Sequence, residues 1–339
     1  MQHVPVCLFE DRRDCAIGVR LLALSAQIHE PTWMFHAFLR NFDQSELDWL
    51  SSQPNVIVRT DIPTDQKGWN VKPCLLRKLL TETTSVVLWC DSDIILASAV
   101  SPILESINIE TFIATEEYCW GRTKGSNIRT TGWGFEELRP ISVTVNSCFM
   151  RMNASHLNLL QSWEDCLART DYREAQTASW DKRPTYFISD QDALTALLAS
   201  SDYSHVPLHL LTNGRDIAQC FEHDGYTVGS RLSNALKRRV PPLVHAQGGK
   251  PWKTGSRADY QQLSPYNSIA APYLKLERLP LDWTTADDWA GKIQERIFFG
   301  EPNLCGMLPA LKRTTMRVWS HRFDIFKFLF YSSKNLSEK

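Results

Sequence analysis

Apolar and polar positions change period several times along the chain, and each change marks an element. Val4-Pro5-Val6-Cys7-Leu8-Phe9 is a short apolar run that reads as a buried strand. Ile17, Leu21, Leu24 and Ile28 then recur at helical spacing, and Trp33 to Leu39 reads as a second strand. Asp43-x-x-Glu46 has the form of a capping box opening a short helix, and Val56-Ile57-Val58 is a third strand. Pro73 suits the first turn of a helix through Leu75-Leu76-Arg77-Lys78-Leu79-Leu80. Ser85 to Cys90 forms another buried strand, and a second apolar run follows at Ile94-Ile95-Leu96. This alternation predicts a mostly parallel sheet with helices on its faces.

Residues 119–140 break the pattern. Gly121, Gly125, Gly132 and Gly134 interrupt polar and aromatic residues that include Trp120, Trp133 and Phe135. An irregular excursion and a substrate-covering lid both fit such a segment. Order resumes with a strand over Ile141 to Met150, helical patterns at 153–169 and 190–200, and strand-like pieces near 204–211 and 242–246.

Composition adds exclusions. A formal net charge of −1 over 339 residues gives no electrostatic case for nucleic acid. The 9 cysteines are scattered without a Cys-x-x-Cys pair, and several sit inside apolar runs. That pattern speaks against zinc ribbons and a disulfide framework, and for a reducing compartment. The N-terminus enters a strand directly, without the pattern of a signal peptide, and no apolar run is long enough to span a bilayer. A cytoplasmic location is therefore expected.

The chemistry concentrates where the fourth strand ends. Asp91 and Asp93 stand one residue apart, at the carboxyl end of a strand, where open α/β sheets bind ligands. On an extended segment their side chains would share a face. Two such carboxylates repel unless a cation or proton lies between them, and a hard divalent ion with phosphate oxygens would satisfy the site. Three further segments accompany the pair: Asn146-Ser147-Cys148-Phe149-Met150, Ser189-Asp190-Gln191-Asp192, and His245-Ala246-Gln247-Gly248-Gly249-Lys250-Pro251-Trp252. In the last, an imidazole suits Mn²⁺ better than Mg²⁺, the glycines permit close backbone approach, and Lys250 offers a point charge for phosphate.

Together, in this order, the four segments resemble glycosyltransferase family 8, the retaining nucleotide-sugar transferases of the GT-A type. The resemblance covers residues 4 to 253. It implies an α/β, Rossmann-like, mixed but mainly parallel sheet flanked by helices. By motif, Asp91, Asp93 and His245 match the Mn²⁺ (or Mg²⁺) ligands, with Asp91 also reaching the ribose and the metal bridging the diphosphate. Asn146 matches the residue near the transferred sugar. Asp190 and Gln191 match the pair flanking the anomeric centre, with Asp190 on donor hydroxyls. Gly248 and Lys250 match the diphosphate clamp. Phe9, Glu10, Asp11 and Arg12 end the first strand, where the family binds uracil and ribose; Ser92, between the two acids, joins that nucleotide side. Lys72 supplies a second cation at the phosphates. The donor implied is a UDP-hexose, and the acceptor a glycan or lipid-linked sugar. Two departures mark a divergent branch: Lys250 stands five residues after His245, one short of the family spacing, and Cys148 replaces the glycine of Asn-(Ser/Ala)-Gly.

Residues 1–275 are read as the catalytic domain and 276–339 as a helical extension. Within the latter, 306–331 is basic and aromatic, with Trp319, Phe323, Phe326 and Phe330 at helical spacing. Packing on the catalytic domain and peripheral contact with anionic membrane both fit this tail. Trp69 and Trp252, each near a lysine, fit either sugar stacking or core packing. Two rival functions share features of the motif. One is a haloacid-dehalogenase-like phosphatase, whose Asp-x-Asp lies near the N-terminus and continues with Thr or Val. The other is a non-catalytic glycosyltransferase-like binding module.

Overall fold

The computed structural model describes residues 3–83, 86–117, 125–220, 228–237, 239–248, 250, 252 and 265–277. Of the extension expected at 276–339, residues 278–339, including the basic tail at 306–331, lie outside the described residues. Repeated strand–helix units open the chain: β1 (Val4–Glu10), α1 (Ala16–His29), β2 (Trp33–Leu39), α2 (Gln44–Ser51), β3 (Val56–Arg59), α3 (Lys72–Thr83) and β4 (Val87–Cys90). These strands pair in parallel in the order β3-β2-β1-β4. Then β7 (Thr144–Met152) joins β4 antiparallel, β6 (Phe112–Glu117) joins β7 antiparallel, and β8 (Leu208–Leu211) joins β6 in parallel. The result is a seven-stranded sheet, mixed but mainly parallel.

A second, three-stranded sheet is built from β5 (Ile94–Leu96), β10 (Leu243–His245) and β9 (Ile217–Gln219). Helix α1 serves both sheets, which explains its apolar character over most of its circumference. Its Val19, Leu22 and Ala26 pack on Val6, Phe35 and Phe149 of the large sheet, while Leu21 and Leu24 pack with Ile95 and Val244 of the small one. The opposite face of the large sheet is covered by α3, α6 (Leu157–Ala168) and α8 (Asp190–Ala199), through Leu75, Leu79, Trp163, Leu194 and Leu197. Helix α10 (Pro265–Leu276) closes the small sheet with Tyr266, Ala270 and Leu274. No helix among the described residues is long and apolar enough to cross a membrane.

Several expectations need correction. Asp43 precedes α2 with extended backbone but caps nothing with its side chain; it pairs with Arg13, and Glu46 pairs with Arg20 at 2.6 Å. Both carboxylates are drawn to arginines instead. The expected strand from Ile141 begins only at Thr144 and runs on to Met152. Of the glycine-punctuated segment, residues 118–124 lie outside the described residues, and the part that follows is folded onto the core. Asn127–Gly132 forms α5, Trp133 is buried, and the Arg129 guanidinium donates to Asp192 at 2.6 Å. β6 and β9 carry weak sequence signals, because the first ends in two glutamates and the second is three residues long. Short α4 (Ser101–Glu105), polar α7 (Thr170–Thr177) and α9 (Val228–Leu236) likewise lack a long apolar repeat. Among the described residues, Cys7, Cys15, Cys74, Cys90, Cys148, Cys166 and Cys220 are free thiols.

Candidate active site

β4 stops at Cys90, and Asp91-Ser92-Asp93 is a turn rather than an extended segment, with Ile94 N–H donating to the Asp91 carbonyl at 3.1 Å. The turn, not a shared strand face, brings the two carboxylates together. Gly18 of α1 underlies it: a Cβ there would lie 2.6 Å from the Ser92 carbonyl oxygen, so only glycine lets the helix pass this close. β10 then pairs antiparallel with β5, setting His245 opposite Ile94, and Ala246 N–H donates to the Asp93 carbonyl at 2.9 Å. Thus sheet pairing carries His245 to the acids. One ligand atom each from Asp91, Asp93 and His245 lies within 4.8 Å of the others.

The donor set fits a divalent ion. Asp93 Oδ1 is buried and accepts no hydrogen bond among the described residues, although His245 Nε2 stands 3.2 Å away. A buried carboxylate oxygen of this kind is costly unless a cation completes it. Two carboxylates with one imidazole suit Mn²⁺. Burial disfavours charge on His245, yet Cys148 and Asp93 beside it hold the imidazolium up to about 10. Burial likewise opposes ionisation of Asp93, but Lys250 and His245 keep its carboxyl well below the usual range.

The ring orientation of His245 is set by Gln219 on β9. The Gln219 amide donates to the Glu116 carbonyl at 3.3 Å, which leaves its own carbonyl to accept from His245 Nδ1 at 2.6 Å. Nε2 is thereby directed at Asp93. If the cluster holds a divalent ion, replacing Gln219 with leucine is expected to weaken its binding by about 10–100-fold with little change in melting temperature. Titration calorimetry on the two proteins measures this; equal affinities would dismiss the role.

Each acid also holds a buried lysine. Lys72, the first residue of α3, stands 2.9 Å from Asp91 and donates to the Ser147 hydroxyl at 2.9 Å. Its ammonium is also 3.9 Å from Asp190 and lies over the Trp89 ring. Burial works against this charge, but Asp91 and Asp190 raise it above its ordinary value. Lys250 pairs with Asp93 and donates to the Ala246 carbonyl at 2.8 Å. Gly248 holds a left-handed φ of 80° in the bend between His245 and Lys250.

The opposite wall comes from β7 and the start of α8. Asp190 accepts from the Ser147 hydroxyl at 2.7 Å, and burial pushes its carboxyl up to about 6. Asp192 is held by Arg129 and by the Ser189 N–H at 2.8 Å, which fixes the first turn of α8 and with it Asp190 and Gln191. At the end of β1, both Glu10 oxygens are engaged: the Arg12 side chain binds them at 2.8 Å each, and Ser92 donates to one of them. Asp11 accepts from the Gly68 N–H at 2.9 Å.

One cavity of about 620 Å³ gathers the candidate site residues. Phe9, Glu10, Asp11, Arg12, Lys72, Asp91, Ser92 and Asp93 line it on one side, and Asn146, Asp190, Gln191, His245, Gly248 and Lys250 on the other. Sequence reading missed Glu117 and gave no role to Gln247 or Ser147, which also line it. Glu117 ends β6 and is 6% exposed; it accepts from Asn146, from Gln191 at 3.2 Å and from Gln247 at 2.9 Å. Burial pushes its carboxyl up, against the lowering effect of those amides. Trp69 and Trp180 line the cavity while remaining 44% and 47% exposed, whereas Trp252 packs on Tyr266 and donates to the Asp14 carbonyl at 3.0 Å.

No family model matches the chain, and no curated protein matches it in sequence. Solved structures do. The bifunctional glycosyltransferase WbbM superposes with a TM-score of 0.52 at 14% identity, over 80% of this chain and 51% of WbbM. The chain therefore spans about half the length of that protein. The galactosyltransferase LgtC, solved with donor and acceptor sugar analogs, superposes with a TM-score of 0.52 at 14% identity, over 83% of this chain and 99% of LgtC. The fold is that of GT-A-type glycosyltransferases.

Proposed function

We propose that this chain is a metal-dependent retaining glycosyltransferase, similar to family 8, that moves a hexose from a UDP-sugar to a glycan or lipid-linked acceptor. One observation carries the reading: Asp91, Asp93 and His245 converge at the cavity that Asp190 and Gln191 line from the other side. A cavity of about 620 Å³ lies in the range that accommodates a small ligand of this size. The phosphatase reading loses ground, since the Asp-x-Asp turn follows the fourth strand of a glycosyltransferase-type sheet. We assign residues 1–275 to this catalytic unit and 276–339 to an extension.

A divalent ion held by Asp91, Asp93 and His245 would neutralise charge accumulating on the leaving diphosphate. Lys72 and Lys250 add two positive charges beside those same carboxylates, in a water-poor setting where each counts for more. Phe9 and the turn through Arg12 receive the uridine, and Asp190 takes donor-sugar hydroxyls. The exposed faces of Trp69 and Trp180 offer flat apolar surfaces to sugar rings. The transition state at the anomeric carbon is oxocarbenium-like. Asp190 is occupied by Ser147 and Lys72, and Glu117 by amides, so neither is a ready carboxylate nucleophile. Gln191 is an amide and a poor nucleophile. Front-face attack follows: the acceptor oxygen bonds to the anomeric carbon as the bond from that carbon to the diphosphate oxygen breaks, and that leaving oxygen takes the acceptor proton. The Gln191 carbonyl stabilises the developing positive charge. Proton NMR of the glycoside formed from an α-linked donor tests the stereochemistry: an α product agrees, and a β product would overturn the retaining assignment.

Asp190 also predicts a pH profile. Since its carboxyl is raised from 3.8 to about 6, kcat/KM, which reports the free enzyme, is expected to fall as pH drops through about 6. The Asp190→Asn variant should lack that limb at a lower overall rate. The folded protein holds this proton more tightly than the unfolded chain, so stability from this group falls as pH rises from 3.8 to about 6. Matching acid limbs in the two proteins would show that another group sets the profile.

A further inference from the structure

Glu117 is a buried carboxylate on the cavity wall with no lysine, arginine or histidine in an ion pair with it among the described residues. Three side-chain amides hold it instead, from three separate parts of the chain. Asn146 belongs to β7, Gln191 to the first turn of α8, and Gln247 to the bend after β10. An ionised carboxylate only accepts hydrogen bonds. Every amide that faces Glu117 must therefore turn its –NH₂ inward and its carbonyl away. Asn146 shows the consequence: its carbonyl oxygen accepts from the Cys148 N–H at 2.8 Å. For Gln191 the same constraint leaves the carbonyl oxygen on the side turned from Glu117.

We infer that Glu117 is a positioning residue that fixes the amide orientation of Gln191, so that its carbonyl oxygen and not its –NH₂ meets the anomeric carbon. This rests on the proposed role of Gln191 and adds what sets it. A carboxamide is nearly symmetric in shape, and a flipped Gln191 would present a positive edge to a positive transition state. The carboxylate removes that alternative. Glu117 acts through Gln191: its own oxygens are taken up by Gln247 at 3.0 and 2.9 Å, Gln191 at 3.2 Å and Asn146.

A double-mutant cycle tests this, using UDP-sugar turnover with Mn²⁺ and calorimetric UDP binding. Glu117→Gln keeps the shape but offers an –NH₂ that competes for a carbonyl, and is expected to lower kcat by about 10²-fold. Donor KM and UDP affinity should stay within about 3-fold of wild type. The double variant Glu117→Gln/Gln191→Ala should be no slower than Gln191→Ala alone, because the first residue works through the second. Glu117→Asp, still acceptor-only, should retain more kcat than Glu117→Gln, and it carries the test if the amide variant does not fold. Fully additive losses, wild-type kcat in Glu117→Gln, or a joint collapse of kcat and UDP binding would overturn the inference. Wild-type turnover in Gln191→Ala would instead overturn the role of Gln191 itself, a separately readable failure.

Discussion

Asp93→Asn should lose Mn²⁺ affinity by about 10²–10⁴-fold and lose UDP-sugar turnover with it. The magnitude follows from burial. Asp93 is the shared counter-charge of Lys250 and His245, and all three side chains are nearly inaccessible to water. At an effective dielectric of about 20, two unit charges about 4 Å apart attract by about 4 kcal/mol, so removing one ligand charge costs the ion that order of energy, and each ~1.4 kcal/mol is a factor of ten. Asparagine conserves volume, and the backbone hydrogen bond from Ala246 N–H to the Asp93 carbonyl is untouched, while the charge is removed. In the metal-free variant His245 no longer has Asp93 to hold its proton, and its pKa should fall below the value of about 10 in the wild type. Calorimetric Mn²⁺ titration and histidine NMR titration read the two effects separately. Wild-type Mn²⁺ affinity in Asp93→Asn would remove Asp93 from the ligand set.

Arg129→Ala should destabilise the fold by about 3–5 kcal/mol, a drop in melting temperature of roughly 10 °C for a domain of this size. Arg129 and Asp192 have side chains 4% and 2% exposed, joined at 2.6 Å, and Arg129 also donates to the Gly125 carbonyl at 2.9 Å. The variant leaves Asp192 charged, buried and short of its main cation. Burial already raises that carboxyl above its ordinary value, opposed chiefly by Arg129. Without the guanidinium the carboxyl rises further, so the stability deficit should shrink as pH is lowered and Asp192 takes up a proton. Because Asp192 sets the first turn of α8, Asp190 and Gln191 would lose their support as well. Thermal melts from pH 5 to 8 measure both amplitude and slope; a deficit under about 1 kcal/mol would show that the pair is replaceable.

How much of this was legible in the sequence depended on where the information lay. Strands β1 to β4 and their helices carried local periodicity, and the elements stand close to where that periodicity put them. Asp91, Asp93, Asn146, Asp190, Gln191 and His245 sat in segments with recognisable spacing, and all line one cavity. Glu117 and Gln219 carried no such signal: each ends a short strand, and each matters only because pairing in the folded sheets carries it to a distant partner. The Lys72–Asp91 and Lys250–Asp93 pairs were illegible for the same reason. Each lysine looked like a phosphate contact, and its carboxylate partner is visible only in three dimensions. The capping box failed because Arg13 and Arg20, remote in sequence from α2, compete for its two acids.

The most direct measurement is nucleotide release from a panel of UDP-, GDP- and dTDP-sugars, with and without Mn²⁺, with a glycan acceptor mixture present, alongside calorimetric titration of UDP. Mn²⁺-dependent release from one UDP-hexose, lost in Asp93→Asn, is the result expected of a glycosyltransferase. Absence of release from every donor together with no Mn²⁺-dependent UDP binding would contradict it, and phosphatase activity in the same preparation would put another enzyme in its place.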